Sequence, residues 1–221
     1  MRLPSLFTPI RLDAGGDALS RAVALAPGSG AGTLLWVDAP DAASAALVLE
    51  PDRPLGPAML ALLVGANALA DALSAAAPPE LPVTWRWPGT LCVNAGVVGG
   101  IRFSAPGDTA LDDLPDWLVI AFDLRLRWPE GFITGDHPGE TALFEEGFEE
   151  MEAGSLTQSW ALHMMANMDE WQARGTGRVA EKYLARLTHP AAQLGVKRGI
   201  DPNSAALILE HEGARDTWPI R

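Results

Sequence analysis

Cysteine is all but missing from this 221-residue chain, and the single residue present, Cys92, cannot close an intrachain disulfide. Histidine is nearly as scarce. His137, His163, His189 and His211 show no ligand spacing to one another or to the cysteine, which argues against structural zinc. Basic side chains are also few: 16 Lys and Arg stand against 28 Asp and Glu, a formal charge of -12. That balance disfavours a nucleic acid, whose phosphates demand a basic face, and it disfavours an anionic membrane surface. The longest apolar run, Ala58 to Ala77, is interrupted by Gly65, Asn67 and Asp71 and is expected to be a buried helix, not a membrane span. The N-terminus, MRLPSLFTPIRLDAGG, lacks the apolar run and small-residue cleavage site of a secretory signal, so a cytoplasmic protein is expected.

What is present suffices for a full core. Hydrophobic residues make up 48% and charged residues 20%, which suits one domain over residues 1–190 with a small β-rich segment over 191–221. Along the chain, a short strand ends near Leu12, and Asp17 is placed to cap a helix from Ala18 to Leu25 that Pro27 and Gly28 terminate. GSGAGTLLW, residues 28–36, is a small-residue loop feeding a strand; such a loop can wrap a ligand with backbone N–H groups or serve as a connector. It is no dinucleotide fingerprint, because a strand follows the glycines, and it has no Lys-Ser/Thr for a P-loop.

A second strand is expected over Ala45–Glu50 and a central helix from Pro57 to Ala76, with Asn67 and Asp71 on its solvated edge. Trp117 to Leu126 reads as a strand with Asp123, Arg125 and Arg127 on one face, residues 128–142 as a surface loop, and Glu145 to Glu152 as a solvated acidic face. Leu156, Trp160, Met164, Met168 and Trp171 recur every three or four residues. They predict the core stripe of a helix capped by Ser155 and stopped by Gly175, in which His163 has no visible partner. A further helix, Gly177 to Leu187, precedes a tail hairpin that turns at Asp201–Ser204.

The stretch that organises the rest is Leu81 to Ala105, LPVTWRWPGTLCVNAGVVGGIRFSA. A rigid corner, Arg86, Trp87, Pro88 and Gly89, leads to an apolar strand (Leu91 to Val93), a turn (Asn94, Ala95, Gly96) and a second apolar strand carrying Gly99 and Gly100. This predicts a β-hairpin whose backbone is closely approached. Val98, Gly100 and Arg102 are expected to share one face, from which Arg102 can lean into a pocket. Cys92, inside an apolar strand with no histidine near it, reads as a small buried hydrophobe.

In order, these motifs resemble the biotin/lipoate A/B protein ligase family over roughly residues 10–190. GSGAGTLLW stands where biotin protein ligases have G-R-G-R-R-G-R-x-W, RWPGT where they have K-W-P-N-D, and VVGGI where they have K-[LV]-[AG]-G-[IV]. The resemblance implies an α+β fold, a mixed, largely antiparallel β-sheet packed against helices. It also implies activation of biotin, lipoate or octanoate with ATP and Mg, through an acyl-adenylate, for transfer to a lysine of a biotinyl or lipoyl carrier domain. Ligand contacts would fall to Gly28, Gly30 and Trp36 in the loop, Arg86, Trp87 and Pro88 at the corner, and Gly99, Gly100 and Arg102 on the strand. A homodimer is the assembly it allows. The tail RGIDPNSAALIL resembles the start of the family's small C-terminal module, too short here to close a barrel, and is expected to pack as a hairpin on the main domain or on a second subunit.

The departures fall on the charged groups. Val97 occupies the reactive-site lysine position, and losing one preorganised donor of that kind costs about two to three orders of magnitude in rate. Ser29, Ala31 and Leu34 stand for the loop arginines, and Gly89 and Thr90 for the Asn and Asp; Arg86 replaces a lysine. No catalytic residue can be assigned. Two readings follow: an acyl-adenylate-forming ligase or acyltransferase, or a catalytically degenerate homologue that holds an acyl ligand, nucleotide or carrier domain. The cation count of the pocket separates them, and a pocket filled by side chains would point instead to an assembly role.

Overall fold

The computed structural model describes residues 1–133, 136–189 and 196–220. In chain order, β1 (Thr8–Leu12) precedes α1 (Ala18–Leu25), where the Asp17 side chain accepts from the Ser20 N–H as expected of an N-cap. Strands β2 (Thr33–Asp38) and β3 (Ala42–Leu49) lead to a short α2 (Leu55–Ala58) and to α3 (Leu60–Ala76). The organising stretch is a meander, β4 (Val83–Arg86), β5 (Thr90–Val93) and β6 (Gly96–Ser104), followed by β7 (Leu118–Arg125). Then come α4 (Ala153–Arg174), α5 (Thr176–Arg186) and β8 (Leu187–His189), and the tail forms β9 (Lys197–Ile200), β10 (Leu207–His211) and β11 (Ala214–Trp218).

Eight strands form one mixed sheet in the order β1-β2-β3-β7-β6-β5-β4-β8, with parallel pairing only at its two ends, β1–β2 and β4–β8. Helices α3, α4 and α5 cover one face. The apolar run over α3 is apolar on nearly every side because the helix is enclosed between the sheet and its two neighbours, and each leucine so buried is worth about 1.5–3 kcal/mol. The predicted α4 stripe is core at Leu156, Trp160, Met164 and Trp171, with Met168 half-buried at its edge: Trp160 donates its indole N–H to the Gly65 carbonyl at 3.1 Å and meets Phe122 edge-on at 5.0 Å. Helix α1 covers the β2, β3 and β7 end of the other face, through Ala18 and Ala22 against Leu35, Val48 and Val119.

Four local expectations need correction. Asn67 and Asp71 do not form a solvated edge. Asn67 is 1% exposed and donates to the Val179 carbonyl at 3.1 Å, while Asp71 is gripped by Asn167, Lys182 and Arg186 of α4 and α5. The α4 cap is Glu152, not Ser155; Ser155 sits at the third helical position and completes the capping box by accepting from the Glu152 N–H at 3.2 Å. His163 has a partner in its own helix, since its Nδ1 lies 2.9 Å from the Ser159 carbonyl. The tail is a three-stranded antiparallel sheet, the Asp201–Ser204 turn being followed by a third strand, β11, that the hairpin reading lacks. Leu207, Leu209 and Ile220 of this tail belong to the same apolar core as the main sheet.

Candidate functional site

Alternation along the strands decides which side chains can meet. On β7, Ile120, Phe122 and Leu124 point to the helices, so Asp123 and Arg125 point to the opposite, open face. On β4, Val83 and Trp85 belong to the helix-side core, which sends Arg86 to the open face; Leu91 and Val93 do the same for Cys92 on β5. On β6 the period is broken. Leu91 pairs with Gly99 but Cys92 with Val97, so Val98 is the extra residue of a bulge, and Val98 and Ile101 both enter the helix-side core. Val98 therefore does not share a face with Arg102, whereas Gly100 and Arg102 do lie together on the open face.

Two glycines make this floor. Gly99 has φ +146, and a Cβ there would collide with the Asp123 carbonyl; at Gly100 it would collide with the Gly89 carbonyl. Strands β5, β6 and β7 thereby approach closely, and the Gly89 carbonyl accepts from the Ile101 N–H at 2.7 Å. The corner is held from beneath by Tyr183, whose hydroxyl donates to the Pro88 carbonyl at 2.7 Å and whose ring stacks on Trp85 and meets Trp87 edge-on. Trp87 in turn donates its indole N–H to the Pro219 carbonyl at 3.3 Å, tying the corner to the tail.

The open face carries a constellation that sequence spacing did not reveal. Asp123 accepts from Ser44 Oγ at 2.5 Å and from Arg102 Nη2 at 2.6 Å, joining β3, β7 and β6. Arg125 donates to Glu140 Oε2 at 2.7 Å and to the Thr141 carbonyl at 3.0 Å, with its guanidinium 3.9 Å from the Trp128 ring centroid. Arg86 differs: its recorded contact is a 3.4 Å hydrogen bond to the Ala95 carbonyl. Beside it, burial pushes the Cys92 thiol up, and Arg86 offsets this only in part. Val97 donates its N–H to the Gly139 carbonyl at 2.8 Å and accepts from the Thr141 N–H at 2.9 Å, so residues 139–141 run against the valine that stands for the lysine.

Not all the sequence candidates converge here. Arg86, Gly99, Gly100 and Arg102 do, with Trp87 and Pro88 at the rim. Gly28 and Gly30 are exposed near the opposite end of the strands: the Gly32 N–H donates to Val48, which pairs with Val119, which pairs with Ser104. That level is four residues, about 13 Å, from Gly100 along β6 and three strand spacings, about 14 Å, across the sheet. Trp36 faces the helices, against Gly154, and walls a cleft of about 790 Å³ whose carboxylates include Asp38, Glu149 and Glu150. The connection that does reach the level of Gly99 is the three-residue β2–β3 turn, 39–41, which carries Asp41 and no cation.

These residues do not fit ATP with Mg. A triphosphate needs several uncompensated donors, yet Arg102 and Arg125 already serve carboxylates, and Gly89, in the place of the family's Asn, has no room even for a Cβ beside the Ile101 carbonyl. Among the described residues, no three histidine, cysteine or carboxylate side chains converge as metal ligands.

A family model described as "Biotin/lipoate A/B protein ligase family" matches residues 3–185. No curated protein matches the chain. Among solved structures, a biotin protein ligase-like protein of unknown function from a Silicibacter species is 32% identical, covering 99% of this chain and 96% of that one at a TM-score of 0.84. The Aquifex aeolicus biotin protein ligase in complex with biotin and ATP is 14% identical over 95% and 94%, TM-score 0.70. The Leishmania major enzyme in complex with biotinyl-5-AMP is 13% identical over 97% and 98%, TM-score 0.58. At those identities the two enzymes speak for the fold alone, which is the α+β fold with a largely antiparallel sheet described above.

Proposed function

The chain belongs to the biotin/lipoate A/B protein ligase family, and from that premise we propose that it binds a small apolar carboxylic acid, of the biotin, lipoate or octanoate kind, without adenylating it. The acid lies on the open face, its carboxylate on Arg86 and its apolar body over Gly99 and Gly100. The observation that carries this reading is charge pairing: of the three arginines that β4, β6 and β7 present on this face, two are ion-paired, at 2.6 and 2.7 Å, and Arg86 alone has no carboxylate partner among the described residues. One uncompensated guanidinium matches one carboxylate, whereas adenylation must also neutralise a triphosphate. Val97 adds nothing to that balance. A carrier-domain acceptor and a homodimer belong to the ligase reading and are not required here.

The test is thermal unfolding with biotin, lipoate, octanoate, ATP-Mg and the acyl-adenylates in turn. A hundredfold excess over Kd adds about 2.7 kcal/mol, an upward shift of roughly 5–10 °C for a chain of this size. One of the acids should give that shift, Arg86→Ala should abolish it, and ATP-Mg should give none. Stabilisation by an adenylate beyond that by the acid, or acid-dependent release of pyrophosphate from ATP, would overturn the reading and restore the ligase.

A further inference from the structure

Where β3 leaves the sheet, far along the strands from Gly99, α4 and the N-terminal segment wall a cleft of about 430 Å³. Met164, Met165, Met168 and Trp171 line it opposite Leu47 and Leu118. The volume lies in the range of small-molecule sites, and unbranched thioether side chains re-pack around ligands of varied outline. The rim is charged. Arg53 lies over the Trp171 ring at 4.5 Å and pairs with Asp52 at 2.9 Å, so these two neutralise each other. Glu50 and Asp169, also at the rim, have no cationic partner among the described residues. Apolar walls beneath two uncompensated carboxylates complement an apolar body that ends in a cation, and they repel one that ends in a carboxylate.

We infer that this cleft binds a small apolar amine, with its hydrocarbon body against the methionines and its ammonium group between Glu50 and Asp169. The site is on the helix side of the sheet and is independent of the acid site on the open face. Isothermal titration of the full chain with octylamine, octanol and octanoate tests it, run in parallel on the Arg86→Ala chain so that acid bound on the open face does not contribute. Octylamine is expected to bind more tightly than octanol, and octanoate more weakly than either. Met168→Trp, which fills the cleft, abolishes octylamine binding; the double variant Glu50→Gln with Asp169→Asn lowers it about tenfold and leaves octanol unchanged. Equal affinity for octylamine and octanoate in the Arg86→Ala chain, octylamine binding that survives both sets of substitutions, or no octylamine binding at all overturns the proposal.

Discussion

Replacing Tyr183, the only tyrosine in the chain, by phenylalanine removes one hydrogen bond beneath the Arg86–Gly89 corner and little else. The ring is fully buried, 6.2 Å from Trp85 in a stacked pair and 5.8 Å from Trp87 in an edge contact, and phenylalanine keeps both. The variant therefore loses the net value of the hydroxyl bond, about 0.5–1.5 kcal/mol, plus part of the cost of leaving the Pro88 carbonyl without its donor, for a total of about 1–2.5 kcal/mol. Burial pushes the Tyr183 hydroxyl well above the ordinary phenol range, so it stays protonated and donating wherever the chain is folded. The loss should accordingly be the same at every pH from about 6 to 9, below the ionisation of an unfolded tyrosine. Urea unfolding followed by far-ultraviolet circular dichroism reads it: the midpoint falls, the slope is unchanged, and Tm drops by roughly 3–8 °C. A loss under about 0.3 kcal/mol, or one that varies across that pH range, would refute the claim that this bond holds the corner.

Two other perturbations bear on the same architecture. Burial alone would raise the Asp71 carboxyl, but the hydrogen bonds from Asn167, Lys182 and Arg186 outweigh it and hold it below the usual carboxylate range. Asp71→Asn should cost about 2–4 kcal/mol, a partly buried version of breaking an ion pair on one side. Because the folded value is depressed, that contribution is complete above the unfolded value and disappears as pH falls through the folded one. The gap between parent and variant, measured by urea unfolding at pH 7, 5 and 3, should hold from 7 to 5 and narrow at 3; a gap that widens toward acid contradicts the assignment. Cys92 is 1% exposed and its thiol is pushed up by burial, so iodoacetamide at pH 8 should label the native chain on the order of a hundredfold more slowly than the unfolded one. Rapid stoichiometric labelling of the native protein would contradict the reading of Cys92 as a buried hydrophobe.

Much of the fold was legible because each signal had one physical meaning. Asp17 before an apolar period is a cap, and a stripe from Leu156 to Trp171 is mostly core, while the helix expected from Pro57 starts two residues earlier, at Leu55, and breaks at Met59 before the long α3. The misreadings share a cause, which is that the deciding partner lies far along the chain or has no pattern at all. Asp71 looks like a solvated carboxylate until Lys182, 111 residues away, is folded against it. The third tail strand, Ala214–Trp218, is exposed along its whole length, so no alternation of apolar and polar residues marked it. Ser155 is a better cap by type than Glu152, but the box works with the roles exchanged.

The candidate site divides along the same line. Motif order placed the Arg86 corner and the Gly99–Gly100 floor on one surface, because both belong to a single meander with short turns. It could not set the level at which the Gly28–Trp36 loop meets the sheet, since that depends on the pairings of β2 with β3 and β3 with β7. Those pairings put Gly30 at the wrong end and Trp36 on the wrong face to touch the same small ligand as Arg86. The β3–β7 and β6–β7 pairings also place Asp123 beside Ser44 and Arg102, and the bridge between Val97 and Glu140 brings Glu140 beside Arg125, contacts across 79, 21 and 15 residues that no motif encodes. On the proposed reading these carboxylates weigh more against adenylation than Val97 does. Replacing one lysine removes a donor, but the carboxylates within 2.7 Å of Arg102 and Arg125 compete directly with any phosphate brought to that face. A triphosphate would have to displace Asp123 and Glu140 and then lie beside them as a like charge, whereas a monoanionic acid can take Arg86 and leave both pairs intact.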